Sequence, residues 1–241
     1  MRYLATTMIL LVCMAFVPAT RLQQKVAGAW IGQENGVTHV LLVTDNYLSL
    51  TAYNQEDRLF LYTLGGPVQV KKDQLELTCE FHSLDTTKVG TPLLLPMRFN
   101  KEMLTDVEAP IYNNVALPKK WKQLDYGTSG LSGNWQITKR MQEGSLQTIH
   151  QTGSRKTIKL LTGTRFQWVA IDPGAKGFYG TGGGEYTFKE GKYTEHIAFF
   201  SRDSSRVGAS LSFNGKLENG AWHHSGKSSR GDHIYEVWTR K

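Results

Sequence analysis

The side chains best suited to chemistry are a carboxylate and an imidazole, Glu195 and His224, each set in a strand-like stretch. Held within hydrogen-bond reach beside a cavity, such a pair could shuttle a proton in an isomerase or hydrolase. His223-His224 offers two imidazoles, but neighbours on a strand point to opposite faces. No third ligand stands at useful spacing, so no metal is expected. Gly182-Gly183-Gly184 has the outline of a phosphate loop, yet no Gly-Lys-Ser/Thr and no helix follow. Ser201 and Asp203 sit in a polar turn and lack the setting of a nucleophile elbow. These observations assign no catalytic residue and imply no cofactor. Cys79, on the apolar face of its strand, reads as an inert core thiol.

The elements that must hold these residues are written twice. Residues 40–104 fall on residues 158–222 at a fixed shift of 118, without a gap. Leu42 lands on Leu160, Phe60 on Phe178, Gly65-Gly66 on Gly183-Gly184, Phe81 on Phe199 and Asp85 on Asp203. A fixed shift held over that length marks two copies of one unit. Within each copy, short alternating runs are separated by turn residues about every ten positions, and no stretch past residue 25 carries a helical period. Turns are expected at Asp45-Asn46, Glu190-Gly191, Asn214-Gly215 and Asn219-Gly220. About eight antiparallel strands per copy predict a meander closed into a barrel, which leaves no exposed sheet edge. The small polar stretch 125–131 separates the copies, giving units over 26–125 and 131–241.

Alternation assigns the faces. Leu75, Leu77, Cys79 and Phe81 define one apolar face, so their counterparts Tyr193, Glu195, Ile197 and Phe199 are expected inside the second barrel. The same shift turns Phe166 and Trp168 inward against Leu48 and Leu50, Tyr186 against Val68, and Trp222 against Leu104. His224, two residues on, then faces inward as well. The second interior is therefore aromatic with a few polar groups, the usual make-up of a small-molecule pocket. A carboxylate there is costly unless paired, and His224 or Arg165 is the partner expected for Glu195. The first interior reads as filled by aliphatic side chains.

Composition bounds the rest. The formal charge is +7 over 241 residues, but the cations are scattered among acids with no aromatic-interleaved basic stripe, so nucleic acid is not an expected partner. Residues 3–17 are uncharged and apolar, Arg2 precedes them, and Val17-Pro18-Ala19 suits a signal peptidase, so 1–19 reads as a signal peptide. Val12 before Cys13 argues against a lipoprotein anchor. The expected location is exported, periplasmic or secreted, and peripheral to a cell envelope if associated with one.

Each copy opens with Gly-x-Trp, at Gly28-Ala29-Trp30 and Gly133-Asn134-Trp135, and the second closes with Trp238-Thr239-Arg240. This is similar to the lipocalin and fatty-acid-binding (calycin) superfamily. The resemblance implies two tandem lipocalin-like barrels in which Trp30 and Trp135 plug one end, with Arg240 packed over Trp135. The first copy closes with Lys120-Trp121-Lys122 and has no such Arg. The runs Gly182–Phe188, Tyr193–His196 and Trp222–Gly226, with Thr164–Val169, resemble an uncharacterised bacterial family of membrane or secreted proteins with a lipocalin-like domain. That resemblance implies a fold and export, and no reaction.

Three functions stay open on this reading. The first is a carrier whose second barrel binds a small ligand, hydrophobic or anionic, through Trp168, Tyr186, Tyr193, Glu195 and His224, with Arg165 at the rim. The second is an envelope interaction module with a protein or glycan partner. The third is a barrel isomerase or hydrolase using Glu195 and His224.

Overall fold

The computed structural model describes residues 25–71, 74–100, 103–105, 115–149, 152–228 and 230–241. The leader read at 1–19 lies outside the described residues. The first sheet comprises β1 (Gly28–Glu34), β2 (Val37–Val43), β3 (Tyr47–Asn54), β4 (Leu59–Lys71), β5 (Gln74–Thr78), β6 (Phe81–His82), β7 (Pro92–Pro96), β8 (Arg98–Asn100), β9 (Met103–Thr105) and β10 (Lys120–Asp125). Its order is β7-β5-β4-β3-β2-β1-β10-β9-β8, with β6 paired to β4. The second comprises β11 (Gly133–Gln142), β12 (Ser145–Thr148), β13 (Lys156–Leu161), β14 (Arg165–Asp172), β15 (Gly177–Lys189), β16 (Lys192–Phe200), β17 (Ser210–Glu218), β18 (Ala221–Lys227) and β19 (His233–Arg240). They follow in sequence from β13 to β19, and β19 pairs back onto β11 to close an eight-strand barrel, with β12 lying outside the ring on the far half of β11.

The two sheets differ in how they come round. β17 is unbroken and pairs with β16 on one edge and β18 on the other. Its counterpart in the first copy is split into β7 and β8 at Met97, just after Pro96. Proline lacks the N–H a ladder requires. The first sheet therefore curls without a continuous closing strand, and its two ends are successive pieces of one run. The turn expected at Asn214-Gly215 is not formed, because both residues lie inside β17. A side chain at Gly215 would press on Phe188 and on the Trp222 indole, at 2.9 and 3.2 Å, so this glycine makes room for aromatics.

Other turns form where the sequence predicts them. Glu190-Gly191 and Asn219-Gly220 both take left-handed φ, at 49° and 73° and at 50° and 74°. Two successive positive φ values match the right-handed twist of the flanking strands. The second copy holds thirteen more residues than the first before the 118 shift begins, and they extend β11 and add β12 around the turn Glu143-Gly144.

The first interior is mostly aliphatic, with His39 buried in it against Tyr62 and Trp121. Leu41, Leu48, Leu50, Leu75, Leu77, Leu95 and Leu104 are all buried, with Trp30, Tyr62 and Trp121 at its ends. A separate apolar layer lies between the two sheets, where Val40, Leu42, Tyr53 and Phe81 meet Ile158, Leu160, Val169, Ile171 and Phe199. Equivalent residues meet here: Phe60 stacks on Phe178 at 6.4 Å with planes 7° apart. Thr63 and Thr181 each accept from Nε2 of Gln167 at 3.0 Å. The alternation argument placed Phe81 and Phe199 inside their barrels, and both belong to this layer instead. The register of β15 against β16 slips between Gly183 and Gly184, and a one-residue slip turns the following side chains to the other face.

Polar clamps complete the junction. Asp125, the last residue of β10, accepts from the Gly163 and Thr164 amides and the Thr162 and Thr164 hydroxyls at 2.8–2.9 Å, and from the Gly127 amide at 2.8 Å. Burial opposes its ionisation, but these donors outweigh that and hold the carboxyl below its ordinary value. Lys156 donates to Glu80 at 2.8 Å, and the Tyr47 hydroxyl donates to the same carboxylate at 2.7 Å.

Candidate functional site

The polar centre of the second barrel is an ion pair within aromatic rings. Lys159 on β13 faces inward from between Ile158 and Leu160, which point to the inter-sheet layer. Its Nζ donates to Oε1 of Glu195 on β16 at 2.8 Å, and both side chains are buried. The ammonium also lies 5.1–5.8 Å from the ring centroids of Trp238, Tyr193, Trp222 and Phe166. Ring faces attract a cation, most strongly where water is excluded.

A second acid closes the strand ladder on the other side of the cluster. Glu236 on β19 stands opposite His224 on β18 and Arg140 on β11. Arg140 Nη2 donates to its Oε1 at 2.8 Å, and the Trp238 indole donates to its Oε2 at 3.2 Å. His224 Nδ1 is 3.5 Å from Oε2, and neither ring nitrogen makes a hydrogen bond. Burial would raise the Glu236 carboxyl, but facing His224, Arg140 and Lys159 brings it down to about 2. Burial, with Lys159 nearby, lowers His224 below its ordinary value, so the imidazole is neutral at pH 7. Burial and then Glu195 push the Tyr193 phenol well above its ordinary value, keeping it a neutral hydroxyl.

Several buried polar atoms in this cluster lack hydrogen-bond partners: Tyr193 Oη, Trp222 Nε1 and both nitrogens of His224. Their rings pack on one another. Tyr193 lies 5.0 Å from Trp222 and 5.6 Å from His224, and Trp222 lies 5.1 Å from His224. Buried polar groups are almost always satisfied by protein, water or ligand.

The residues singled out from sequence fall into three groups. Tyr193, Glu195 and His224 come together in this interior, but no hydrogen bond joins Glu195 to His224. Trp168 and Tyr186 line the same core at its margins. Trp168 packs edge-on against Phe200 at 5.4 Å. The Tyr186 hydroxyl is already engaged with Ser129 and the Thr162 carbonyl, both at 2.6 Å. Arg165 is not a partner of Glu195: next to the inward-facing Phe166 it points out of the barrel into a cleft of about 280 Å³ between the sheets, paired with Glu185 at 2.9 Å.

Beside this cluster, across the strand pair from Lys159, the Trp135 ring has the Arg240 guanidinium 4.5 Å from its centroid, and Arg240 donates to the Ser132 carbonyl. Gly133 leaves room for it, since a side chain there would strike the guanidinium. In the first sheet, Gln123 pairs with Trp30 as Arg240 pairs with Trp135. Gln123 donates to the Ala27 carbonyl at 3.2 Å.

Lys159 and Glu236 were not anticipated. Lys159 was legible, since the shift of 118 sets it on Leu41 just as it sets Glu195 on Leu77. Glu236 lies beyond the reach of the repeat, and alternation alone left the inner set of 233–240 open. Trp238 and Ile234 pack into the core of the second barrel, which resolves it.

No protein-family model matches the chain, and no curated protein matches it. Among solved structures, the chain is similar to a lipocalin-like protein from Bacteroides uniformis ATCC 8492, at 13% sequence identity and a TM-score of 0.33, covering 46% of this chain and 98% of the other. It is also similar to an uncharacterised protein from Bacteroides eggerthii DSM 20697, at 13% identity and a TM-score of 0.32, with the same coverage.

Proposed function

We propose that this chain is an exported, lipocalin-like binding protein whose second barrel holds a small, partly apolar ligand. The observation that carries this reading is an aromatic wall closed around the buried Lys159–Glu195 pair, with polar atoms of Tyr193, Trp222 and His224 beside it. A buried ion pair stabilises a fold little more than an apolar pair of the same size, so its presence favours a role beyond holding the fold. Phe166, Phe213 and Trp238 would cover the ligand's apolar surface, and the three polar side chains would orient it. Export rests on the uncharged stretch at 3–17. The proton-transfer reading loses its support, because Glu195 is bound to Lys159 and His224 faces Glu236.

Native mass spectrometry of the protein purified from its own host tests this. A small molecule is expected on the wild type and absent from the Lys159→Leu/Glu195→Leu variant, which restores the aliphatic pair of the first copy. An adduct retained in full by that variant would move the site elsewhere.

A further inference from the structure

The repeat creates two equivalent seams where one sheet meets the other, and they are filled differently. At the first seam, Glu80 accepts from the Tyr47 hydroxyl at 2.7 Å and from Lys156 of the second sheet at 2.8 Å. The shift of 118 carries Tyr47 onto Arg165 and Glu80 onto Ala198, and it carries Thr38 onto Lys156. The last match holds in space too, since Thr38 stands opposite Tyr53 as Lys156 stands opposite Ile171. The second seam therefore has Arg165 for Tyr47, Thr38 for Lys156 and Ala198 for Glu80. The backbones agree at both. A Cβ on Gly66 would strike the Thr78 carbonyl and the Glu80 amide, and one on Gly184 the His196 carbonyl and the Ala198 amide. Side-chain length is what differs. With alanine for glutamate and threonine for lysine, the second seam stays open as the cleft of about 280 Å³ into which Arg165 points.

The groups around this cleft suit a carboxylate. Arg165 presents a planar fork of N–H donors, and the mostly exposed Glu185 engages only its Nη2, at 2.9 Å. An ion pair of that kind contributes little and leaves the rest of the fork for a second acceptor. Burial raises the Tyr53 phenol to about 12 although Arg165 is near, so it lines the cleft as a neutral hydroxyl. Thr38 adds another hydroxyl, and Ile31, Ile197 and Ala198 add apolar surface.

We infer that the cleft between the sheets binds a small ionised carboxylic acid, its carboxylate on Arg165 in the place that Glu80 holds at the equivalent seam, and its apolar part against Ile31 and Ile197. At the filled seam the chain supplies the carboxylate itself, and at the open one a ligand does. This site lies outside the barrel interiors and does not rest on the ligand proposed for the second barrel.

Three probes of one skeleton test this: 4-methylpentanoate, 4-methylpentanamide and 4-methylpentylammonium, titrated calorimetrically into the full chain. The carboxylate is expected to bind roughly tenfold more tightly than the amide, and the ammonium more weakly still. Arg165→Gln should weaken the carboxylate roughly tenfold. Ala198→Glu writes the residue of the filled seam into the open one and should weaken it as much, with no fall in the thermal midpoint. Lys159→Leu/Glu195→Leu alters only the second interior and should leave its affinity unchanged. Wild-type binding of the amide as tight as the carboxylate would overturn the carboxylate preference. Unchanged affinity in Arg165→Gln would overturn the seat on Arg165. Loss of binding in Lys159→Leu/Glu195→Leu alone would move the carboxylate into the barrel. A wild type that binds none of the three would overturn this inference and leave the proposed function standing.

Discussion

The two halves of this chain share a strand plan and differ in what they enclose. Where the first has Leu41, Leu48, Leu75, Leu77, Leu95 and Leu104, the second has Lys159, Phe166, Tyr193, Glu195, Phe213 and Trp222 at the same places in the repeat. The strands, hairpin turns and inter-sheet contacts tolerate both sets. The scaffold therefore depends on which positions face inward and little on what fills them, provided that charge is paired and volume is filled. The difference is confined to what each interior holds: leucines in the first, and aromatic rings around a buried ion pair in the second.

The largest expected effect comes from breaking that pair unevenly. Lys159→Leu alone leaves a buried carboxylate and should destabilise the protein by about 3–5 kcal/mol, whereas Lys159→Leu/Glu195→Leu should cost far less or even stabilise. Urea unfolding of both variants checks this, and equal losses would mean that the leucine-like interior is not interchangeable. In the first copy, Leu75→Ala should cost about 2–5 kcal/mol by opening a cavity. Its counterpart Tyr193→Phe, which removes an unpartnered hydroxyl, should change stability by no more than about 1 kcal/mol.

Acid should act on the halves differently. Burial pulls His39, between Tyr62 and Trp121 in the first interior, down to about 4. The unfolded chain binds that proton near pH 6.5 and the folded one does not, so stability falls as pH drops from 6.5 to about 4, by about 3 kcal/mol in all. His39→Leu should flatten that slope in pH-dependent unfolding. Asp125 has the carboxylate signature. Its lowered pKa gives stability that is full above the ordinary value and lost as pH falls through the folded one. Asp125→Asn should therefore cost about 2 kcal/mol near pH 7 and converge on the wild type in strong acid. The smallest effect belongs to the plugs: Arg240→Gln copies the arrangement at Gln123 and should cost no more than about 1 kcal/mol in thermal unfolding.

Much of this architecture was legible because the repeat let one copy label the other. The 118 shift correctly turned Tyr193, Glu195 and Trp222 inward. It failed where a local irregularity has no signature in residue type. The slip at Gly183/Gly184 moved Phe199 out of the barrel, and glycine is equally compatible with a bulge and with a plain strand. Asn214-Gly215 carried a turn signal, yet Phe188 and Trp222 needed the space a glycine leaves. Glu236 and its link to Arg140 depend on how β19 meets β11, a pairing between the two ends of the second copy that no local pattern encodes.

The contact between Phe60 and Phe178 has a consequence for the history of the chain. In a symmetric homodimer, a residue near the two-fold axis meets its own copy, as these two equivalents meet here. The tandem chain is in that sense a dimer written on one strand of genetic text. A true homodimer must alter both interiors with every substitution. Fusion lifts that constraint, so one half can keep a leucine core while the other takes up charged and aromatic groups.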